Sequence, residues 1–475
     1  MSDLAAGWAW EGQATQAAPA ARGRAHFRVV FTVLVIYGIA ALFVPFLEIG
    51  HYVFKLIPCV FIFTLCLTRE NRLALLGCAT PLYFALKTSQ FAGSETNFMV
   101  PMATALVVAA WLVAWVYDSL VLRRQSRVRA SLPMALLGIW MLLGMVGVVK
   151  AVRVTQWFWH MGAMFSLLAA FALALRSPVT TESVKRMVLG MAAAIVAFNM
   201  PFAFRALIQY GPGALARLND LRAEYEATLV GSETGSLLML FAFCIGLAVS
   251  RAPRSLRMAA VLFGLTSSGI MQILYVSRAG FAAAGGVVVL GLLFSKRKIA
   301  AIVVAAMLVL AVMIFLVVKP EYWESVQERF GSLRSSARTR AAARSHALRK
   351  CTQNPVLGLG VGQYRYHSPR LVSAHNDIFN VSAEMGLPGA FLYICLVGVF
   401  LKKGWSARKI KDPLRQGVVL GCTLAGLGYL AYTQFQPLYQ ARGGMLLFGL
   451  LGLLYVCAQP QPQPEDERSE APEHW

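Results

Sequence analysis

Long apolar runs, each near the length a helix needs to cross a bilayer, follow one another along almost the whole chain, separated by short polar connections. The strands of a membrane barrel would alternate apolar and polar positions, and these runs do not. They predict membrane helices at about 27–47, 52–68, 72–91, 99–121, 131–149, 156–175, 187–209, 235–250, 257–276, 279–295, 299–318, 387–401, 417–434 and 442–457, fourteen in all. The third, tenth and twelfth are short or carry Pro or Lys, as at Pro81 and Lys87, so twelve spans is the alternative. The expected architecture is an all-α integral membrane protein with about 12–14 transmembrane helices and one large loop. By position, 1–26 is an unstructured cytoplasmic N-terminus, 27–318 holds spans 1–11, 319–386 is the large loop, 387–457 holds spans 12–14, and 458–475 is an unstructured tail.

Composition agrees with this reading. Hydrophobic residues make up 58% of the 475, charged residues 14%, and mean hydropathy is +0.61, which excludes an ordinary soluble surface. Neither end looks like a cleavable leader or a packed domain: the N-terminus is rich in Ala with its basic residues after it, and the tail is Pro-rich and acidic. Of eight cysteines, only Cys351 lies in the large loop, and no spacing suggests a disulfide or a zinc site.

Charge orients the chain. Basic residues cluster before the first span (Arg22, Arg24, Arg28) and then in every second loop, as at Arg69 and Arg72, Arg123 to Arg129, Arg176 to Arg186, Arg251 to Arg257, Lys296 to Lys298, and Lys402 to Arg415. Short cytoplasmic loops carry that excess, so both termini are expected in the cytoplasm and the intervening loops outside. The net charge of +22 is spread over these connections, which argues against a nucleic-acid partner.

The large loop breaks the pattern. It is placed outside, yet it carries ten Lys and Arg residues, from Lys319 to Arg370, against Glu321, Glu324, Glu328, Asp377 and Glu384. Loops this long escape the charge rule, so the surplus needs another reason, and a polyanion such as a lipid diphosphate is one. The alternative is a solvated basic helix, with Arg334 and Arg338, and Arg340 and Arg344, at four-residue spacing. Farther along, "NPVLGLGVGQY" sets Gly358, Gly360 and Gly362 at alternate positions. No strand-helix-strand unit surrounds them, so a nucleotide site is rejected in favour of tight backbone turns. From Asn376 an apolar stripe at helical spacing runs to Met385 and stops at Gly386 and Pro388, which sets His375 at the first turn of a short helix. The helix dipole and the neighbouring arginines should keep its imidazole neutral and able to accept a proton. A structural histidine is the plainer reading of such a residue taken alone.

Three elements, in order, resemble those of the O-antigen ligase and polymerase superfamily. His375 and Asn376, nine residues, Gly386, two residues and Gly389 resemble its H-N-x9-G-x-x-G signature; "NPVLGLGVG" resembles its N-P-x-x-G-x-G-x-G element; and "SRAG" at Ser277 to Gly280 resembles its short outside turn. The resemblance covers roughly 215–455. It implies a GT-C-like glycosyltransferase of the bacterial inner membrane, with its site facing the periplasm and an undecaprenyl-diphosphate-linked glycan as donor. It also implies His375 as the base that activates an acceptor hydroxyl and Arg278 as a ligand of the donor diphosphate. A second essential arginine would be Arg222 or Arg205, with Arg222 preferred, although the N-P-N usual nearby is absent. Asn376, beside the base, is a further expected substrate contact.

The chemistry is coherent from first principles. Displacing an anomeric diphosphate requires neutralising the leaving group and removing a proton from the attacking hydroxyl, which arginines and a neutral histidine can do. No metal cofactor is expected, since the first outside loop lacks paired acids, and direct displacement would invert the anomeric centre. The acceptor would be lipid A-core for a ligase, the reading preferred here, or the next lipid-linked repeat for a polymerase of O-antigen or exopolysaccharide. A protein O-glycosylating relative would need the same donor chemistry. A transporter of lipid-linked glycan is the reading from another class, but almost no carboxylate lies inside a span, where transporters usually keep their ionisable groups.

Overall fold

The computed structural model describes residues 2–43, 52–82, 85–87, 99–121, 131–200, 227–274, 278–295, 333–368, 373–436, 438–439 and 442–459, with single positions at 298, 302 and 306. Helices dominate: α1 (Ser2–Phe43), α2 (Tyr52–Thr64), α3 (Arg72–Ala79), α4 (Met102–Val116), α5 (Leu132–Val146), α6 (Val154–Leu175), α7 (Thr181–Phe198) and α8 (Ala227–Val249). Next come α9 (Arg254–Ala259), joined through a π turn to α10 (Thr266–Leu274), then α11 (Arg278–Phe294), α12 (Leu333–Gln353), α13 (Tyr364–His367), α14 (Asp377–Ala407), α15 (Pro413–Thr433) and α16 (Arg442–Cys457). Among the described residues the only strands are two three-residue pieces, β1 (Ala85–Lys87) and β2 (Met99–Pro101), paired antiparallel with Leu86 opposite Val100.

Among the described residues six helical stretches are long and apolar enough to cross a membrane: Ala21–Ala41, Met102–Leu120, Leu132–Lys150, Val154–Leu175, Asp377–Ala407 and Pro413–Thr433. Four shorter apolar helices, Leu56–Leu67, Thr234–Val249, Ala279–Phe294 and Gly443–Cys457, match further expected spans. The protein is an all-α integral membrane protein. Three expectations need correction. The run at 72–91 is no continuous span: α3 ends at Ala79, Thr80 and Pro81 turn the chain, and β1 follows, because proline disfavours helical geometry in the residue before it. The N-terminal stretch expected to be unstructured belongs to α1, consistent with alanine being the strongest helix former. The helix ahead of the twelfth span and the span itself are one element, α14, with non-helical geometry only at Gly386. The eleventh span, 299–318, falls almost entirely outside the described residues, as does the acidic tail from 460.

Small residues set how closely the helices pack. A Cβ on Gly246 of α8 would strike the Gly421 backbone of α15, and one on Gly77 of α3 would strike the Met187 carbonyl of α7. Both contacts lie in one layer, since a Cβ on Gly264 would meet Cys244 of α8 and Val188 of α7. The loops after α5 and before α14 share one end, where the Trp157 indole donates to the Gly144 carbonyl at 3.0 Å and the Arg153 amide donates to the Gln363 side chain at 2.9 Å. Helix α6 then runs to the opposite end, where Arg176 caps it and the basic turn at 69–72 lies.

Candidate active site

Around His375 the backbone is fixed on both sides. Asn376 caps α14, its side-chain oxygen accepting from the Phe379 amide at 3.2 Å while its amide nitrogen donates to Gln434 Oε1 at 2.9 Å. Just ahead, the Ala374 amide donates to Asn380 Oδ1 at 3.3 Å. His375 between them takes φ 53°, the only positive φ of a non-glycine residue among the described residues. It therefore stands one residue before the cap, outside the first helical turn where the apolar stripe had set it. Asn376, the expected substrate contact, is 3% exposed and uses both ends of its amide on the protein.

Asp377 anchors the neighbourhood. It is 1% exposed; Oδ2 accepts from the Tyr393 hydroxyl at 2.6 Å and from Tyr429, and Oδ1 accepts from the Leu438 and Tyr439 amides at 2.6 and 3.3 Å. One carboxylate thus ties the start of α14 to its own second turn beyond the break, to α15, and to the chain leading into α16. A carboxylate so deeply buried is tolerated because donors surround it.

The glycine-rich loop and α14 form one unit. Gly358, Gly360 and Gly362 all take positive φ (65°, 91° and 75°), a conformation open to glycine at little cost. The Leu359 and Gly360 amides donate to the Ala383 and Glu384 carbonyls, both at 2.9 Å, and the Leu387 amide donates to the Pro355 carbonyl at 2.8 Å. These bonds satisfy backbone groups that the break at Gly386 (φ 68°, ψ −170°) releases. The Glu384 carboxylate accepts from the Gly362 amide at 2.9 Å and from the Tyr439 hydroxyl. A Cβ at Gly362 would overlap the His160 ring, and one at Gly358 the backbone of Glu384.

Helix α12 brings charge to this frame. It buries Ala343, Ala347 and Cys351, four residues apart, and the Tyr364 hydroxyl donates to the Ala343 carbonyl at 2.8 Å. This seating turns Arg340 and Arg344, one turn apart, toward residues 434–436: Arg344 donates to the Gln434 carbonyl, and the Arg340 guanidinium lies 5.5 Å from the Phe435 ring centroid. Both arginines reach His375 electrostatically. Burial first, then the charge of Arg340, hold the imidazole below its ordinary pKa; hydrogen bonds with the Phe435 backbone and the Gln436 side chain pull the other way, and Arg344 adds to the lowering. His375 Nδ1 is buried and has no hydrogen-bond partner. Burial and Arg340 thus lower the imidazole pKa, the direction expected of the neighbouring arginines.

Arg278 is the first residue of α11. A Cβ on Gly428 of α15 would meet Val287, and one on Gly291 would lie by Leu424, so α11 and α15 run antiparallel. Helix α11 therefore starts at the end of the bundle where α15 finishes. Arg222 and Arg205 lie outside the described residues. Sequence reasoning met Arg340 and Arg344 only as part of the loop's basic surplus and did not single out Gln434 or Gln436. The signals were present as an alanine stripe at four-residue spacing in α12, which aims the arginines, and as two glutamines, Gln434 and Gln436, where an apolar span ends.

Residues 261–394 match the family model described as O-antigen ligase. The segment is thus similar to that family. The match begins in the π turn between α9 and α10, takes in Arg278, α12 and the glycine loop, and ends in α14 just past Tyr393, so it holds most of the site, whereas residues 434–439 lie beyond it. No curated protein matches the chain.

Proposed function

We propose that this protein is an inverting membrane glycosyltransferase that moves a glycan from undecaprenyl diphosphate onto an acceptor hydroxyl at the periplasmic face of the inner membrane. His375 removes the acceptor proton. Arg278, with Arg340 and Arg344 from α12, neutralises the departing diphosphate, and no metal takes part. Carrying the reading is the geometry of His375: a strained residue held between the Ala374–Asn380 bond and the Asn376 cap, facing the turn at 434–436, with a free ring nitrogen and two guanidiniums beside it. A ring held neutral by burial and cationic neighbours accepts a proton at ambient pH, and the same cations attract the charge that leaves.

Of the acceptors, lipid A-core is preferred, which makes the protein an O-antigen ligase. Polymerisation of O-antigen or exopolysaccharide repeats uses the same donor and the same residues. Purified protein with lipid-linked donor and acceptor tests the chemistry: His375→Asn keeps a residue that tolerates positive φ but removes the base, so transfer should fall by roughly two to four powers of ten while the fold persists. Near-normal transfer by that variant would overturn the role. Deletion of the gene followed by gel analysis of lipopolysaccharide separates the acceptors. Loss of the ladder with long glycan left on the lipid carrier means ligase, a single-repeat band means O-antigen polymerase, and unchanged lipopolysaccharide with lost slime means exopolysaccharide polymerase.

A further inference from the structure

At the end of the bundle opposite His375, three arginines converge on one carboxylate. Arg72, the first residue of α3, is fully buried and grips Asp118 with two parallel hydrogen bonds, both 2.8 Å, while its Nε donates to the Cys66 carbonyl at 3.1 Å. That pair cancels its own charge. Arg69 lies in the turn just before α3, and Arg176 caps the last turn of α6. Burial first, and then Arg72 and Arg69, hold the Arg176 guanidinium below its ordinary pKa, with Asp118 pulling the other way, so all four groups share one electrostatic neighbourhood. Nε of Arg69, and Nε and Nη1 of Arg176, are buried and donate to no described group.

The carboxylate next in sequence to Arg69 does not supply the missing acceptor. Glu70, next to Arg69, is turned toward Gly23, where its Oε2 lies 3.6 Å from the place a Cβ would occupy, and toward Arg186. Arg186 in turn donates to Asn71 at 2.7 Å. Among the described residues, then, two guanidiniums with three buried, unpartnered N–H groups surround an ion pair that is already satisfied. Buried donors of this kind need an acceptor, and for guanidinium the strongest is an anionic oxygen. The surroundings say what carries it. Leu67, Val116 and Leu120, beside the cluster in sequence, are 40%, 43% and 72% exposed, so the apolar outer belt of the bundle ends at these arginines.

We propose that Arg69 and Arg176 bind the phosphate of an anionic phospholipid, whose acyl chains lie along Leu67, Val116 and Leu120. The site lies outside the residues that match the O-antigen ligase family and needs nothing from the reaction at His375. Arginine clusters that serve only to orient a chain in the membrane stay solvated and are indifferent to replacement by lysine; buried N–H groups aimed at a phosphate are not. Native mass spectrometry and thermal unfolding of the purified full-length protein, with phosphatidylglycerol, phosphatidylcholine or inorganic phosphate added separately, test the site. The wild type should retain phosphatidylglycerol over phosphatidylcholine by on the order of tenfold or more. Phosphatidylglycerol alone should raise its Tm, and Arg69→Gln/Arg176→Gln should lose both effects. Equal retention of the two lipids, or unchanged preference in the double variant, overturns the proposal. Stabilisation by inorganic phosphate equal to that by phosphatidylglycerol overturns the lipid as its source. Should the double variant not fold, Arg176→Lys, which keeps the charge and removes the planar fork, decides the matter: full retention of phosphatidylglycerol by that variant also overturns the proposal.

Discussion

His375 holds its left-handed backbone because neighbours on both sides leave it no alternative: the Asn376 cap follows it and the Ala374–Asn380 bond precedes it. Such a conformation costs of order 1–3 kcal/mol and persists only where the surroundings impose it. The charges around the ring then set when it works. Because Arg340 disfavours the imidazolium, Arg340→Gln should let His375 hold its proton to higher pH. Activity, which needs the neutral ring, should rise with pH in both proteins, with the acidic limb of kcat/KM displaced upward in the variant; a limb that stays in place would show that Arg340 does not face the base. At Arg278 the expected difference is one of geometry. A diphosphate held by a guanidinium fork takes two parallel bonds where lysine offers one point charge, so Arg278→Lys should lose most of the transfer that Arg278→Ala loses, with donor affinity reduced in both. A lysine variant that titrates donor like the parent would mark Arg278 as an anchor at the membrane interface.

Between the glycine loop and α14 the unit of stability is a pair of chain segments, and each depends on the other's backbone. The clearest element-scale expectation concerns Gly386, whose φ 68° and ψ −170° suit glycine almost alone and whose Cβ would strike the Pro355 and Val356 carbonyls. Gly386→Ala should lower Tm by several degrees and reduce transfer with it, whereas Gly138→Ala, in α5 with open space where its Cβ would stand, should leave both unchanged. Thermal unfolding in detergent compares the two directly. Much of this element was legible in the sequence: three alternating glycines asked for positive φ, and Gly386 with Pro388 asked for an interruption. Periodicity could not show that the two motifs lie against each other, because the bonds from 359 and 360 to 383 and 384 are long-range contacts with no local signature. Arg340 and Arg344 were legible as charge and illegible as site residues, since only the seating of Ala343 and Ala347 decides which way they face.

Across the whole molecule, α6 separates two chemically different ends, one built on His375 and the glycine loop, the other on arginines around Asp118. Apolar runs made the membrane class plain from sequence, and the alternation of basic loops gave an orientation. The span count was less legible where a proline divides a run, as at Pro81, because hydropathy records composition and not the backbone bonds a residue can make. The orientation can be checked with topology reporters: one fused after Pro355 should report the periplasm and one after Lys409 the cytoplasm, and a cytoplasmic signal at Pro355 would overturn the orientation and the proposed site together. The anchoring of Asp377 also bears on when the protein becomes active during its synthesis. Its acceptors are filled by Tyr393, then Tyr429, and last by the amides of Leu438 and Tyr439. A nascent chain that has delivered His375 but not these residues carries an apolar-bound carboxylate short of donors, and the turn at 434–436 that faces the base has yet to arrive. The surroundings of His375 are therefore complete only once the last helices of the chain are in place, so a chain cut short before residue 434 lacks both the donors of Asp377 and the turn beside His375.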